Sequence, residues 1–159
     1  FNRHKRVFAF DTFSGLPKIH KRDGASKLMK KGNLTTNDGY EKFLQIHLDS
    51  LDKLNPLNHI KKNFVLKGNA IQSVKKLLKK NPEIIVSLAY FDFDLYEPTK
   101  KCLELLKPRF VKGTIIGFDE ANDPDSPGET RAIMESLGLN KINLKRHKYS
   151  SRVSYFIFD

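Results

Sequence analysis

Residues 84–97 read Ile84-Ile85-Val86-Ser87-Leu88-Ala89-Tyr90-Phe91-Asp92-Phe93-Asp94-Leu95-Tyr96-Glu97, and the fold turns on how they are read. An apolar run of this length, rich in Ile, Val and aromatics, predicts a strand buried on both faces, as inside a parallel sheet. It ends abruptly in two carboxylates, Asp92 and Asp94. A buried carboxylate is costly unless it is paired or bound to a cation. Open α/β sheets bind their ligands at the carboxyl ends of the strands. Asp92 and Asp94 therefore stand where a site is expected. The competing reading has them cap the helix that follows, and Asp94 suits that role better than Asp92.

Working outward, residues 114–118 form a second apolar strand that also ends in carboxylates, Asp119 and Glu120. Upstream, residues 6–10 read as a short strand ending at Asp11, and residues 63–66 as another. Helical spacing predicts helices over 40–54, 70–79 and 98–106. In the first of these, Tyr40, Phe43, Leu44, Leu48 and Leu51 share one stripe with His47, which reads as a packed histidine rather than a catalytic one. Ser126-Pro127-Gly128-Glu129 matches a capping box with Pro at the first helical position, opening a helix that stops at Gly138. Segments 142–144 and 153–158 pair as a closing antiparallel hairpin. Residues 17–39 lack a period and read as a long loop of the lid or binding kind.

This alternation predicts an α/β fold: one domain over 1–159, a mostly parallel sheet with helices on both faces, and a C-terminal antiparallel hairpin. A hydrophobic fraction of 39% with 12 Phe supports a packed core. No apolar run is long enough to cross a bilayer, and no signal peptide is visible. The single cysteine, Cys102, excludes an internal disulfide and fits a reducing compartment, so a cytoplasmic location is expected. Its place in a helix predicts a buried thiol.

The net charge is +11, a balance that suits nucleic acid, an anionic membrane or a diphosphate-bearing small molecule. Lys75, Lys76, Lys79 and Lys80, however, fall on the polar side of one helix. Solvated faces account for most of the charge, and nucleic acid is disfavoured as a partner. The sequence holds no Walker A motif, zinc-type Cys/His spacing or Gly-x-Ser-x-Gly elbow.

If the strands ending at Asp92 and at Asp119-Glu120 are neighbours, up to three carboxylates meet at one edge. Such groups repel and raise each other's pKa unless a cation intervenes. Oxygen-only ligands suit a hard ion, Mg2+ or Ca2+. Alternatively, Lys112 or Arg131 neutralises the cluster without a metal. Spacing leaves both readings open.

The segment Asp92-Phe93-Asp94-Leu95-Tyr96-Glu97-Pro98-Thr99 resembles the Asp-Gly-Asp-Leu-Tyr-Glu-Ser-Thr segment of the macrocin O-methyltransferase family. The resemblance extends back to Asp11-Thr12-Phe13-Ser14-Gly15-Leu16-Pro17 and forward through Pro108-Arg109-Phe110 and Gly113 to Asp119-Glu120. Pro127-Gly128-Glu129 is most similar to the branch acting on nucleotide-linked or macrolide- and enediyne-attached deoxysugars. The likeness covers nearly the whole chain. It implies a Rossmann-like class I methyltransferase that uses S-adenosylmethionine and a divalent cation, Mg2+ or another, to methylate a sugar hydroxyl.

The resemblance implies Asp92, Asp119 and Glu120 as metal ligands, with Asp92 also serving catalysis and the cofactor. It places Asp11 at the cofactor ribose and Asn69 near the adenine, where many relatives have Asp. Phe93 replaces the family's common Gly, and Glu120 its second Asp. The general base stays unassigned; Tyr40 and His47 lie in the region expected to cover the acceptor. The family's first strand and its Gly-rich turn should precede the Asp11 strand, and here they do not. This chain is therefore expected to be part of a longer enzyme and to bind the cofactor poorly alone. Micromolar binding of S-adenosylhomocysteine in calorimetry would contradict that.

The expected function is metal-assisted methylation of a sugar or sugar-nucleotide hydroxyl, in a homo-oligomer without membrane contact. The alternatives are a non-catalytic basic module of the same fold for an anionic partner, or a methyltransferase with a non-sugar acceptor.

Overall fold

The computed structural model describes residues 5–159. Residues 1–4, where the sequence opens on Phe1, lie outside the described part. The elements run β1 (Val7–Asp11), α1 (Tyr40–Asp52), β2 (Asn63–Lys67), α2 (Ala70–Lys80), β3 (Val86–Phe91), α3 (Tyr96–Leu106), β4 (Phe110–Phe118), α4 (Pro127–Ser136), β5 (Lys145–Arg146) and β6 (Ser154–Ile157). The α/β alternation follows the sequence reading closely. Hairpin bounds differ: β5 is two residues, 145 and 146, rather than 142–144.

The strands form two sheets. β1 pairs with β2 in parallel, from Val7 opposite Asn63 to Asp11 opposite Lys67. The other sheet has the order β3-β4-β6-β5, with β3 and β4 parallel and β6 antiparallel to both of its neighbours. β3 and β4 end in step, Phe91 opposite Phe118, so the residues after each strand emerge side by side.

One core fills the space between the larger sheet and its helices. Ala89 and Phe91 of β3, Ile116 and Phe118 of β4 and Phe156 of β6 meet Val74 of α2, Cys102 and Leu103 of α3 and Ile133 of α4. The Phe91 and Phe118 rings stack at 5.3 Å, and Phe118 on Phe156 at 6.5 Å. Offset aromatic pairs of this kind add to the area they bury.

The opposite face of this sheet departs from expectation. Alternation along β3 sends Leu88 and Tyr90 outward, where they are 62% and 49% exposed. Leu88 lies opposite Ile115, and Ile115 opposite Ile157, so an apolar row crosses three strands in the open. The reading of 84–97 as a strand buried on both faces is therefore corrected. Among the described elements, α2, α3 and α4 share the one core on the Phe91 side.

α1 differs from expectation in the same way. Leu44 and Leu48 are half-buried, and Gln45 fixes the helix to β2 by accepting from the Val65 N–H and donating to the Asn63 carbonyl. Phe43 is 63% exposed and His47 is also exposed, their rings stacked at 6.2 Å. His47 is thus a surface residue. The lysines of α2 are exposed, as read, and Cys102 is buried.

Residues 12–39 contain no helix or strand but are well anchored. Leu16 and Met29 pack with Leu95 in a small second core. The fully buried Asp23 accepts the Tyr96 N–H at 2.6 Å through Oδ1 and the His20 N–H at 2.6 Å through Oδ2. Asp23, from a distant loop, is therefore the carboxylate that caps the first turn of α3.

Candidate active site

Because β3 and β4 end together, Asp92, Asp119 and Glu120 converge. Each offers a carboxylate oxygen within 4.8 Å of the others. Asp92 is exposed, Asp119 half-buried and Glu120 buried. The condition set by the sequence, that the two strands be neighbours, is met.

Glu129 builds this edge. The sequence read it as half of a capping box, yet Ser126 makes no side-chain cap bond. Glu129 is fully buried and spans the two strand ends instead. Its Oε1 accepts the Phe93 N–H at 3.2 Å and its Oε2 the Glu120 N–H at 3.0 Å. One carboxylate thus holds the backbone beside Asp92 and beneath Glu120. Its neighbour Gly128 is required by space: a Cβ there would lie 2.6 Å from both Asp23 Oδ1 and the Tyr96 nitrogen.

Tyr90 donates a short hydrogen bond to Asp119. Its ring lies over Gly117, where a Cβ would come within 2.8 Å of it. Burial and the nearby Asp119, Asp92 and Glu120 carboxylates raise the phenol pKa, so Tyr90 remains a donor at neutral pH. Tyr90 follows Leu88 and precedes Asp92 on the same period of two, a signal the sequence offered.

The cation on this edge is Arg152. Its Nη2 lies 2.7 Å from Glu120 Oε1 and 3.3 Å from Asp123 Oδ2. The expected neutralisers are elsewhere: Arg131 donates to the Arg22 carbonyl, and Lys112 sits near the start of β4, far from its carboxyl end. Glu120 Oε2 is buried without a hydrogen-bond partner.

These charges shift one another. Burial, a hydrogen bond shared with Asp119, and the Glu129 and Asp94 charges push Glu120 up to about 9. Protein crowding the carboxyl raises even the exposed Asp92, burial raises Asp94, neighbouring carboxylates reinforce both, and burial pushes Glu129 up to about 8. Asp119 moves the other way. Burial opposes ionisation there, but hydrogen bonds from Glu120 and Tyr90 and the Arg152 charge outweigh it.

Asp94 takes φ 56° and shapes the turn through its backbone rather than as a side-chain cap. The other expected residues meet in one cleft. Asp11, Thr12, Gly68, Asn69, Asp92, Phe93 and Leu95 are among its lining. Asp11 Oδ1 accepts the Phe13 N–H at 2.5 Å, and Asn69 Oδ1 caps α2 through the Gln72 N–H at 3.1 Å. Tyr40 and His47 are not among its lining residues.

No protein-family model matches the sequence, and no curated protein does. Solved structures do match. CalS11, calicheamicin methyltransferase, superposes with a TM-score of 0.95 at 33% identity, over 99% of this chain and 62% of that one. The apo structure of CalS11, TDP-rhamnose 3'-O-methyltransferase, an enzyme in calicheamicin biosynthesis, gives 0.82 at 31% identity, over 99% and 60%. The O-methyltransferase NovP shares the fold, with a TM-score of 0.62 at 18% identity over 97% and 60%. The chain thus spans 60–62% of the length of these structures. Its fold is a Rossmann-like class I methyltransferase fold.

Proposed function

We propose that this chain, which belongs to the sugar O-methyltransferase family of class I methyltransferases, carries the metal-binding edge of an S-adenosylmethionine-dependent enzyme acting on a nucleotide-linked sugar hydroxyl. The observation that carries the reading is the meeting of Asp92, Asp119 and Glu120 within 4.8 Å. The buried Glu120 Oε2 receives no hydrogen bond from a protein donor, and the Glu120 and Asp119 carboxyls lie in hydrogen-bonding contact with each other. All three donors are carboxylate oxygens, the set a hard divalent cation prefers. The residues fit such an ion.

Asp92, Asp119 and Glu120 would hold it, and a bound cation would supply polarisation of an acceptor hydroxyl. Asp92, at the junction of cleft and cluster, would place that hydroxyl beside the cofactor. Tyr90 holds the Asp119 carboxylate in one orientation, and Glu129 holds both strand ends. Asp11 keeps one carboxylate oxygen free of its turn bond for a ribose hydroxyl. Asn69 spends its Oδ1 on the helix cap, which leaves its amide hydrogens for the adenine. Rate enhancement on such a frame comes from positioning and electrostatics.

The cleft in this chain holds about 100 Å³, against roughly 300–1,000 Å³ for a typical ligand pocket. That supports the expectation of weak cofactor binding by this chain alone. A polyanion-binding module is disfavoured, because a polyanion would meet clustered carboxylates here. The deciding assay incubates the full-length protein with labelled S-adenosylmethionine and sugar nucleotides, with and without chelator. Transfer should stop with chelator and in Asp92→Asn. Transfer indifferent to both would remove the metal-assisted reading.

A further inference from the structure

Arg152 reaches the carboxylates by register. β6 runs antiparallel to β4 with Ser154 opposite Phe118, so the residues before Ser154 lie beside those after Phe118. The backbone there is fixed: Arg146 Nη1 donates to the carbonyls of Ser151, at 3.1 Å, and Arg152, at 2.6 Å. The guanidinium therefore arrives at Glu120 from a tethered main chain, while its side chain remains 51% exposed and has room to leave.

Its two partners differ. Glu120 belongs to the group whose oxygens converge with those of Asp92 and Asp119; Asp123 does not. A guanidinium on Glu120 and a divalent ion on the same carboxylate would repel at close range. Asp123 offers the guanidinium a second holding point outside the ligand set.

We propose that Arg152 is an internal counter-ion that occupies the carboxylate cluster ahead of a divalent cation and must release Glu120, while keeping Asp123, for the cation to bind. This rests on the reading of Asp92, Asp119 and Glu120 as a metal site. Arg152 here positions ligands and competes with the ion; it is not assigned contact with substrate.

The test is Mn2+ binding to the full-length protein, followed by the loss of the free-ion paramagnetic resonance signal. Arg152→Gln should bind Mn2+ at least about tenfold more tightly than wild type, the scale expected when a charge-assisted competitor is removed. It should also melt at a lower temperature without metal and gain more from its addition. Arg152→Lys keeps the charge but loses the planar fork, and should fall between the two. Its affinity serves if the Gln variant does not fold. Lys148→Gln removes a charge from the same hairpin loop without touching the cluster and should change affinity less than about twofold. An affinity in Arg152→Gln no tighter than wild type, or tightened only as much as in Lys148→Gln, overturns the inference. So does an Arg152→Lys affinity equal to wild type. Metal binding by wild type in those cases leaves the site reading standing. If wild type and variants all fail to bind Mn2+, the site reading and this inference fall together.

Discussion

Replacing Glu129 tests how the edge is built. Its carboxylate accepts the Phe93 N–H at 3.2 Å and the Glu120 N–H at 3.0 Å from a fully buried position. Hydrogen bonds contribute roughly 0.5–1.5 kcal/mol each to a neutral acceptor and 1.5–3 to a charged one, so two set an upper figure of about 6 kcal/mol for the ionised carboxylate and about 3 for the protonated one. Burying the carboxylate offsets part of this, as its rise to about 8 shows. Glu129→Ala should therefore destabilise by about 2–4 kcal/mol, with two backbone donors left buried and unpaired. Glu129→Gln keeps the shape, but its amide N–H2 faces one of those donors, and a loss of about 1–3 kcal/mol is expected. The pH dependence adds a sign. A folded pKa of about 8 lies above the ordinary 4.5, so the protonated form is favoured by folding. That contribution is complete below about 4.5 and fades as pH rises towards 8. Urea unfolding, followed by circular dichroism at pH 5 and pH 8, should show wild type losing stability over this window and Glu129→Gln losing less. A Glu129→Ala variant within about 0.5 kcal/mol of wild type at both pH values would refute the clamp.

Gly128→Ala should cost at least about 2 kcal/mol in thermal or urea unfolding, because its Cβ would sit 2.6 Å from the Asp23 carboxylate and the Tyr96 nitrogen. Unchanged stability would show that this contact relaxes freely. Cys102 is 1% exposed and burial pushes its thiol up to about 12 from 9.0. Its thiolate fraction at pH 8 should fall about a thousandfold, so iodoacetamide should label it only after urea is added; rapid native labelling would contradict the packing. Tyr90→Phe removes the donor to Asp119 while leaving the ring over Gly117, and should weaken Mn2+ binding several-fold for about 1 kcal/mol of stability. Equal Mn2+ affinity would remove Tyr90 from the site.

The site was legible where chemistry coincides with strand ends. Asp92 and Asp119-Glu120 each follow an apolar run, and parallel neighbours of equal phase must bring such residues together. Arg152 was not legible. It lies 32 residues from Glu120, and only the pairing of Ser154 with Phe118 brings it there. Glu129 was visible but misread, since a local capping pattern gave no hint that its carboxylate would bond two separate strand ends. Asp23 shows the reverse: a loop residue, rather than the adjacent Asp94, caps α3. The outward turn of Leu88 and Tyr90 was hidden because a continuous apolar run carries no record of which face has a covering layer. The same holds for His47, whose stripe is apolar at Phe43 and yet exposed.

Stability alone does not account for this edge. Asp92, Asp94, Glu120 and Glu129 all have raised pKa values, so each would be easier to bury uncharged than ionised. Apolar or amide side chains at these positions would relieve repulsion that Arg152, paired directly with Glu120 and Asp123, offsets only in part. The supporting residues also work against relaxation: Glu129 holds the backbone and Tyr90 holds Asp119 in place. A frame that keeps mutually repelling carboxylates together makes physical sense when something positive is to be received there. A guanidinium on a half-exposed side chain meets that need only in part, since no protein donor reaches Glu120 Oε2 beside it. The unmet acceptor, more than the number of acids, separates this edge from an ordinary surface cluster.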